Sequence, residues 1–197
     1  PWCVHEMERQ HEVQTRHVRH FHAEAGSDLE HVANNIQQMA TNENGVFPLI
    51  MLDGVGGSGR SALLAKIATY VVPEQASRCG LFFSKARAST FEHALTAITC
   101  QLRVQLRGGS HFWTDSNKTA RTLADLFDAV LQVFDESRRR VVLILDGFAA
   151  DEQLDIAEHL LSRPRLFPVV TCVLSCNWMY SEQSKDPHRL RLNERVR

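Results

Sequence analysis

No stretch of the 197-residue chain approaches the roughly 18 consecutive apolar residues of a membrane-spanning helix, so no span is expected. There is no excess of either charge. Against 22 lysines and arginines stand 23 acidic residues, a formal net charge of -1, which gives no general electrostatic case for nucleic acid or an anionic membrane. The five cysteines, at 3, 79, 100, 172 and 176, contain no C-x-x-C pair and are odd in number. That argues against a disulfide framework and for a reducing compartment, read here as the cytoplasm. Cys172 and Cys176 fall in or beside an apolar strand and read as buried thiols rather than metal ligands. No internal repeat or low-complexity tract is visible, so neither a solenoid nor a propeller is encoded. The opening, Pro1-Trp-Cys-Val-His-Glu6, is neither a signal peptide nor an initiator methionine, and the chain reads as a piece of something larger.

What is present is enough for a core. Hydrophobic residues make up 44% of the chain, consistent with one domain and an appendage. The most informative stretch is Phe47-Pro-Leu-Ile-Met-Leu-Asp53, followed by Gly54-Val55-Gly56-Gly57-Ser58-Gly59-Arg60-Ser61-Ala62. An apolar run, a glycine-rich turn and a helix-forming segment give the strand, loop and helix order of a phosphate-binding loop. Glycines can take φ > 0 and carry no Cβ, so such a loop can wrap a phosphate with its N–H groups pointing inward. The first turn of the helix adds donors and the positive end of its dipole, and Ser61 stands where a hydroxyl would hold Mg²⁺. One position departs from G-x-x-x-x-G-K-[ST]: Arg60 replaces the lysine. Charge is kept, but a planar guanidinium stands in for a compact ammonium. The plainer alternative is a glycine-rich turn with no ligand.

Residues 4 to 24 read as a helix with a thin apolar face that packs only partly. Five histidines lie there, and His17, His20 and His22 read as a solvated polar face in preference to a metal site, since no cysteine or carboxylate joins them at fixed spacing. Ser27-Asp-Leu-Glu30 is a capping box opening a second helix, which ends near Asn42-Glu-Asn-Gly45. This places an N-terminal helical segment at 1–44 and an α/β domain at 45–197, truncated at its C-terminus. Within that domain the pattern predicts helices over 62–72, 90–106, 119–137 and 151–163, and strands over 79–84, 141–146 and 168–175. The alternation at 188–193 reads as an edge strand.

Val141-Val-Leu-Ile-Leu145 is apolar throughout, as suits a central parallel strand buried on both faces, and it ends on Asp146. A carboxylate there lies at the crevice where open α/β sheets bind ligands and is the Walker B candidate, holding Mg²⁺ through water. The alternative is that Asp146 merely caps its Asp-Gly turn.

With both motifs in place, the chain resembles the signal-transduction NTPases with numerous domains, and among them the NACHT-like ATPase modules of large WD-repeat or tetratricopeptide-repeat proteins. The resemblance covers about residues 10 to 180 and rests on Pro48 to Ala65, Leu81 to Thr90, Val142 to Gly147 and Val173 to Ser175. It implies a P-loop NTPase fold of three α/β/α layers, with a parallel sheet in the order 5-1-4-3-2 and the 168–175 strand between the phosphate-loop strand and the Asp146 strand. It also implies a nucleotide-controlled switch. Two departures stand out. The family's acidic residues three and four places beyond the Walker B aspartate are Ala149 and Ala150 here, with Asp151 and Glu152 displaced by two, and the sensor position offers Cys176 and Asn177 in place of an arginine.

The function expected is therefore a regulatory module that binds ATP or ADP with Mg²⁺ and hydrolyses slowly or not at all. Gly54 to Ala62 hold the phosphates, Ser61 and Asp146 hold the metal, and Asp151 or Glu152 substitutes imperfectly for the water-orienting acid. Its partners would be the nucleotide, other domains of a larger chain and other proteins, with nucleotide-dependent oligomerisation. The alternative from another class is a scaffold that keeps the fold without binding nucleotide. A small-molecule kinase fits less well, because nothing after Asp146 supplies an acceptor pocket or a basic lid.

Overall fold

From residue 49 onward helices separate the strands, one after β1, two after β2 and one after β3, because short apolar runs are interspersed with amphipathic ones. The computed structural model describes residues 2–24, 27–41, 47–53, 57–70, 78–86, 89–107 and 120–176. Two helices come first, α1 (Trp2–Glu24) and α2 (Ser27–Thr41). They are followed by β1 (Leu49–Asp53), α3 (Arg60–Tyr70), β2 (Arg78–Ser84), α4 (Phe91–Arg107) and α5 (Leu123–Ser137). The chain continues through β3 (Arg140–Asp146), α6 (Ala150–Leu161), a 3₁₀ turn at Pro164–Leu166 and β4 (Val170–Cys176).

The four strands form an all-parallel sheet in the order β1-β4-β3-β2, so β4 separates β1 from β3. The fifth strand of a 5-1-4-3-2 order, the alternation at 188–193 and the break at 42–45 fall outside the described residues. Register sorts the side chains into two cores. The row Leu49, Cys172, Leu143 and Leu81 faces α4, α5 and α6, whereas Ile50, Val173, Ile144 and Phe82 face α1, α2 and α3. Helices on both faces are why β3 and β4 are buried along nearly their whole length and carry apolar residues on both sides.

Helix α5 starts later than its apolar spacing suggests, at Leu123. The hydroxyl of Thr122 accepts the Asp125 N–H at 3.2 Å, and Asp125 accepts the Thr122 N–H at 3.0 Å, a reciprocal cap that ends the preceding segment. Helix α1 packs partly, as its thin apolar face requires, but its anchors are mixed. Phe21 is buried beneath Lys66, whose ammonium lies 4.2 Å from the ring centre and also pairs with Glu30 of α2 at 3.1 Å. Gln10 is buried against β2, and Gln14 donates to Thr69 of α3 at 2.9 Å. Phe21, Ala33 and Ile36 thus share one core with α3 and the sheet.

Candidate functional site

Four strand ends meet the loops at the carboxyl edge of the sheet, where the first glycine-rich turn enters α3. Gly54, Val55 and Gly56 lie outside the described residues. Gly57 and Gly59 have φ of 81° and 82°, the left-handed region in which a Cβ is strained. The Gly59 carbonyl accepts the Leu63 N–H at 2.9 Å, the first helical bond, so Ser61 and Ala62 sit in the first turn of α3, where N–H groups have no intrahelical acceptor. Ser58 lies in the turn between the two glycines and is exposed.

Arg60 is held within the protein. Its guanidinium donates to the Cys176 carbonyl oxygen at the end of β4 and lies 4.0 Å from the Asp53 carboxylate at the end of β1. Only 14% and 18% of the two side chains are exposed, so the cation bridges neighbouring strand ends out of solvent.

Asp146 ends β3 and is 7% exposed. Its two oxygens face two hydroxyls: Ser175 of β4 donates to Oδ1 at 2.6 Å, and Ser84 of β2 stands at 3.5 Å from Oδ2. Three adjacent strands therefore place serine, aspartate and serine in one line, with the carboxylate at the centre and oriented from both sides. The next residue, Gly147, has φ 76°, and a Cβ there would stand 2.6 Å from the Lys85 carbonyl oxygen. Lys85 in turn donates its N–H to the Asp146 carbonyl at 2.9 Å, so the connections after β2 and β3 are pressed together and the position admits glycine alone.

The acids displaced by two residues have separate surroundings. Ala149 is the N-cap of α6 and Ala150 its first residue. Asp151 is exposed on the first turn. Glu152 uses both oxygens: one accepts the Ala149 N–H at 2.9 Å and the other pairs with the Lys85 ammonium at 3.0 Å. Gln153 is buried and donates to the Phe148 carbonyl at 2.6 Å and the Ser175 carbonyl at 2.8 Å, tying α6 to β4.

Helix α1 reaches the same edge. Arg9 and Gln10 bind the backbone of Ser84, and His17 lies within the field of Asp146. Burial pushes the His17 imidazole below its ordinary value, the Asp146 carboxylate opposes this, and His20 and Arg16 add to the fall. Cys172 belongs to the core, where burial pushes its thiol up to about 12 and makes it inert as a nucleophile or ligand.

The structure thus gathers Asp146 with Ser84 and Ser175, and Arg60 with Asp53 and Cys176, while Glu152 is drawn to Lys85. Ser84 and Lys85 lie in the Leu81 to Thr90 stretch but have no role assigned there from sequence, and Gln153 is not singled out. The only local signal for them was their position at strand ends or beside a capping residue. Comparison of the chain with protein-family models, with curated proteins and with solved structures gives no match, so the function rests on this geometry.

Proposed function

We propose that the protein is a nucleotide-binding regulatory module of a larger signalling or scaffold protein, of the NACHT-like kind the sequence resembles, in which Mg²⁺ with ATP or ADP governs how α1 and α2 and the neighbouring domains pack. One observation carries this reading. Left-handed glycines lead into α3 at the end of β1, and a buried, doubly hydroxyl-faced aspartate ends β3, with β4 between them, at the carboxyl edge where open parallel sheets take ligands. Gly54 to Ala62 would receive the phosphates, and Ser61 with Asp146 fits a hard cation that takes oxygen ligands and retains water. Mg²⁺, when bound, neutralises charge on the phosphate oxygens. Hydrolysis is slow or absent in this reading, because Ala149 and Ala150 offer no base and Glu152 is committed to Lys85 and the α6 cap. Any orientation of water falls to Asp151. Cytoplasmic residence and nucleotide-dependent self-association belong to the same proposal.

A second reading, a scaffold that binds no nucleotide, is favoured by one feature: the cation expected on the phosphates is engaged by Cys176 and Asp53. Calorimetry and thermal unfolding with Mg²⁺-ATP and Mg²⁺-ADP separate the two. A ligand that binds only the native state stabilises it by about 2.7 kcal/mol at 100 times its Kd. No heat of binding and no change in Tm at millimolar nucleotide would establish the scaffold.

A further inference from the structure

Among the described residues strand β2 is an edge of the sheet. In a parallel ladder the N–H and C=O of one residue point the same way and alternate along the strand. The Lys85 N–H points to β3, where it meets the Asp146 carbonyl. Ser84 points outward: its N–H donates to the Gln10 carboxamide oxygen at 2.8 Å, and its carbonyl accepts the Gln10 amide at 3.0 Å. Gln10 therefore occupies the place of a strand residue. Alternation turns the backbone groups of Phe82 and Gly80 outward as well, and among the described residues nothing pairs with them on that side.

These two residues line a half-open cavity of about 360 Å³ between α1, α3, β2 and α4. Met7 and Ala68 supply apolar wall, and Gln14 and Gln101 supply carboxamides. Gln101 is 6% exposed, and no hydrogen bond ends on its side chain among the described residues. Its carboxamide is not among the fully enclosed polar atoms that lack a partner, so its two N–H donors and its acceptor oxygen open onto the cavity. The described lining contains no lysine, arginine, aspartate or glutamate, and its one ionisable side chain, His11, is exposed.

We propose that this cavity binds a small uncharged ligand bearing two amide groups at dipeptide spacing, which continues on Phe82 and Gly80 the pairing that Gln10 begins at Ser84. The volume lies in the range of small-molecule sites. Phe82 and Gly80 are two residues apart, about 6.6 Å along a strand, so alternate amides of an extended chain, two residues apart and pointing the same way, match them. The Gln101 carboxamide supplies the donor and acceptor opposite. Among the described residues the lining offers a charged ligand no carboxylate, ammonium or guanidinium partner, which favours an uncharged one. The site is separate from the carboxyl-edge loops, so its occupancy does not depend on nucleotide binding. It lies under α1, and a ligand there clamps α1 to the sheet.

The test uses the 197-residue chain labelled with ¹⁵N and titrated with N-acetyl-dialanine amide, with zwitterionic dialanine as the charged comparator. The expected result is a saturable shift of the Gly80 and Phe82 amides with the blocked peptide, a much weaker one with dialanine, and about tenfold slower hydrogen exchange at both amides. Gln101→Leu, which keeps the volume, and Ala68→Leu, which adds bulk at the cavity wall, should each abolish the shift in a protein whose remaining spectrum is unchanged. A failure to fold in one variant leaves the other to decide. No saturable shift at Gly80 and Phe82 with millimolar peptide, or equal binding by both variants, would show a cavity filled by water alone and overturn the proposal.

Discussion

The Arg60 guanidinium donates to the Cys176 carbonyl, joining the first residue of α3 to the last residue of β4. Asp53 flanks the same cation at 4.0 Å. Arg60 is thus a structural tie between strand ends, and in the proposed nucleotide-binding reading a phosphate would have to compete with that tie to recruit it.

Arg60→Lys tests the competition. A lysine is shorter and carries no fork, so it should lose the bond to Cys176 and reduce stability by about 1.5 kcal/mol, the scale of a hydrogen bond from a charged donor. The released ammonium should then follow the γ-phosphate better. We expect roughly a tenfold gain in single-turnover ATP hydrolysis, equivalent to about 1.4 kcal/mol, with ADP affinity changed far less because backbone N–H groups and the helix dipole supply much of the diphosphate binding. Urea unfolding beside single-turnover kinetics measures both, and equal gains in turnover and ADP affinity would rule out a role for Arg60 in limiting catalysis.

Two glycines with similar φ should respond differently to alanine. At Gly147 the new Cβ meets backbone oxygen at 2.6 Å, whereas at Gly57 nothing lies within 4 Å. Gly57→Ala should cost about 1 kcal/mol, the left-handed penalty alone. Gly147→Ala should cost about 3 kcal/mol or more, because the Lys85 backbone must also move. Denaturation midpoints with unchanged m-values decide the comparison, and equal losses would contradict the clash.

The Lys85–Glu152 pair, at 9% and 14% exposed, should be strongly coupled. Lys85→Met leaves a shielded carboxylate without its cation and should cost about 3 kcal/mol, while the double variant Lys85→Met, Glu152→Gln should recover at least about 1 kcal/mol of that loss. A double-mutant cycle in urea measures the coupling. Strict additivity would mean that solvent already screens the pair.

Stability should fall in mild acid through His17 and His159, both of which burial pushes below the ordinary value of 6.5. When a histidine's folded pKa lies below its unfolded one, the unfolded chain binds the extra proton first. The contribution is therefore complete above about pH 6.5 and is lost as pH falls through that value toward the folded pKa. Asp146 opposes the shift at His17, so Asp146→Asn should steepen the loss, and His17→Gln should flatten it. Unfolding free energies measured between about pH 5 and 7.5 give the slope, and a wild-type curve that rises toward acid would refute the assignment.

The order of strands and helices was readable because it follows from local chemistry. Val141 to Leu145 is apolar on both faces, and glycine carries no Cβ where the chain turns toward α3. The place of Asp146 at the end of β3 was readable too, since it closes an apolar run. Other features exist only across distance. Ser84 and Ser175 meet Asp146 because β2, β3 and β4 lie side by side, and no spacing along the chain encodes that adjacency. Glu152 looked available in the sequence, but the turn at Gly147 brings Lys85 beside it, and an opposite charge out of water binds a carboxylate more firmly than solvent does. The same holds for Gln10, which gave no signal among the polar residues of α1 until the open edge of β2 supplied an N–H and a C=O two bonds wide. Periodicity and side-chain type determined the elements and the acid at the end of β3; which side chains each strand end would meet was decided by the packing of the sheet, because those partners are far apart in the chain and adjacent only when the strands pair.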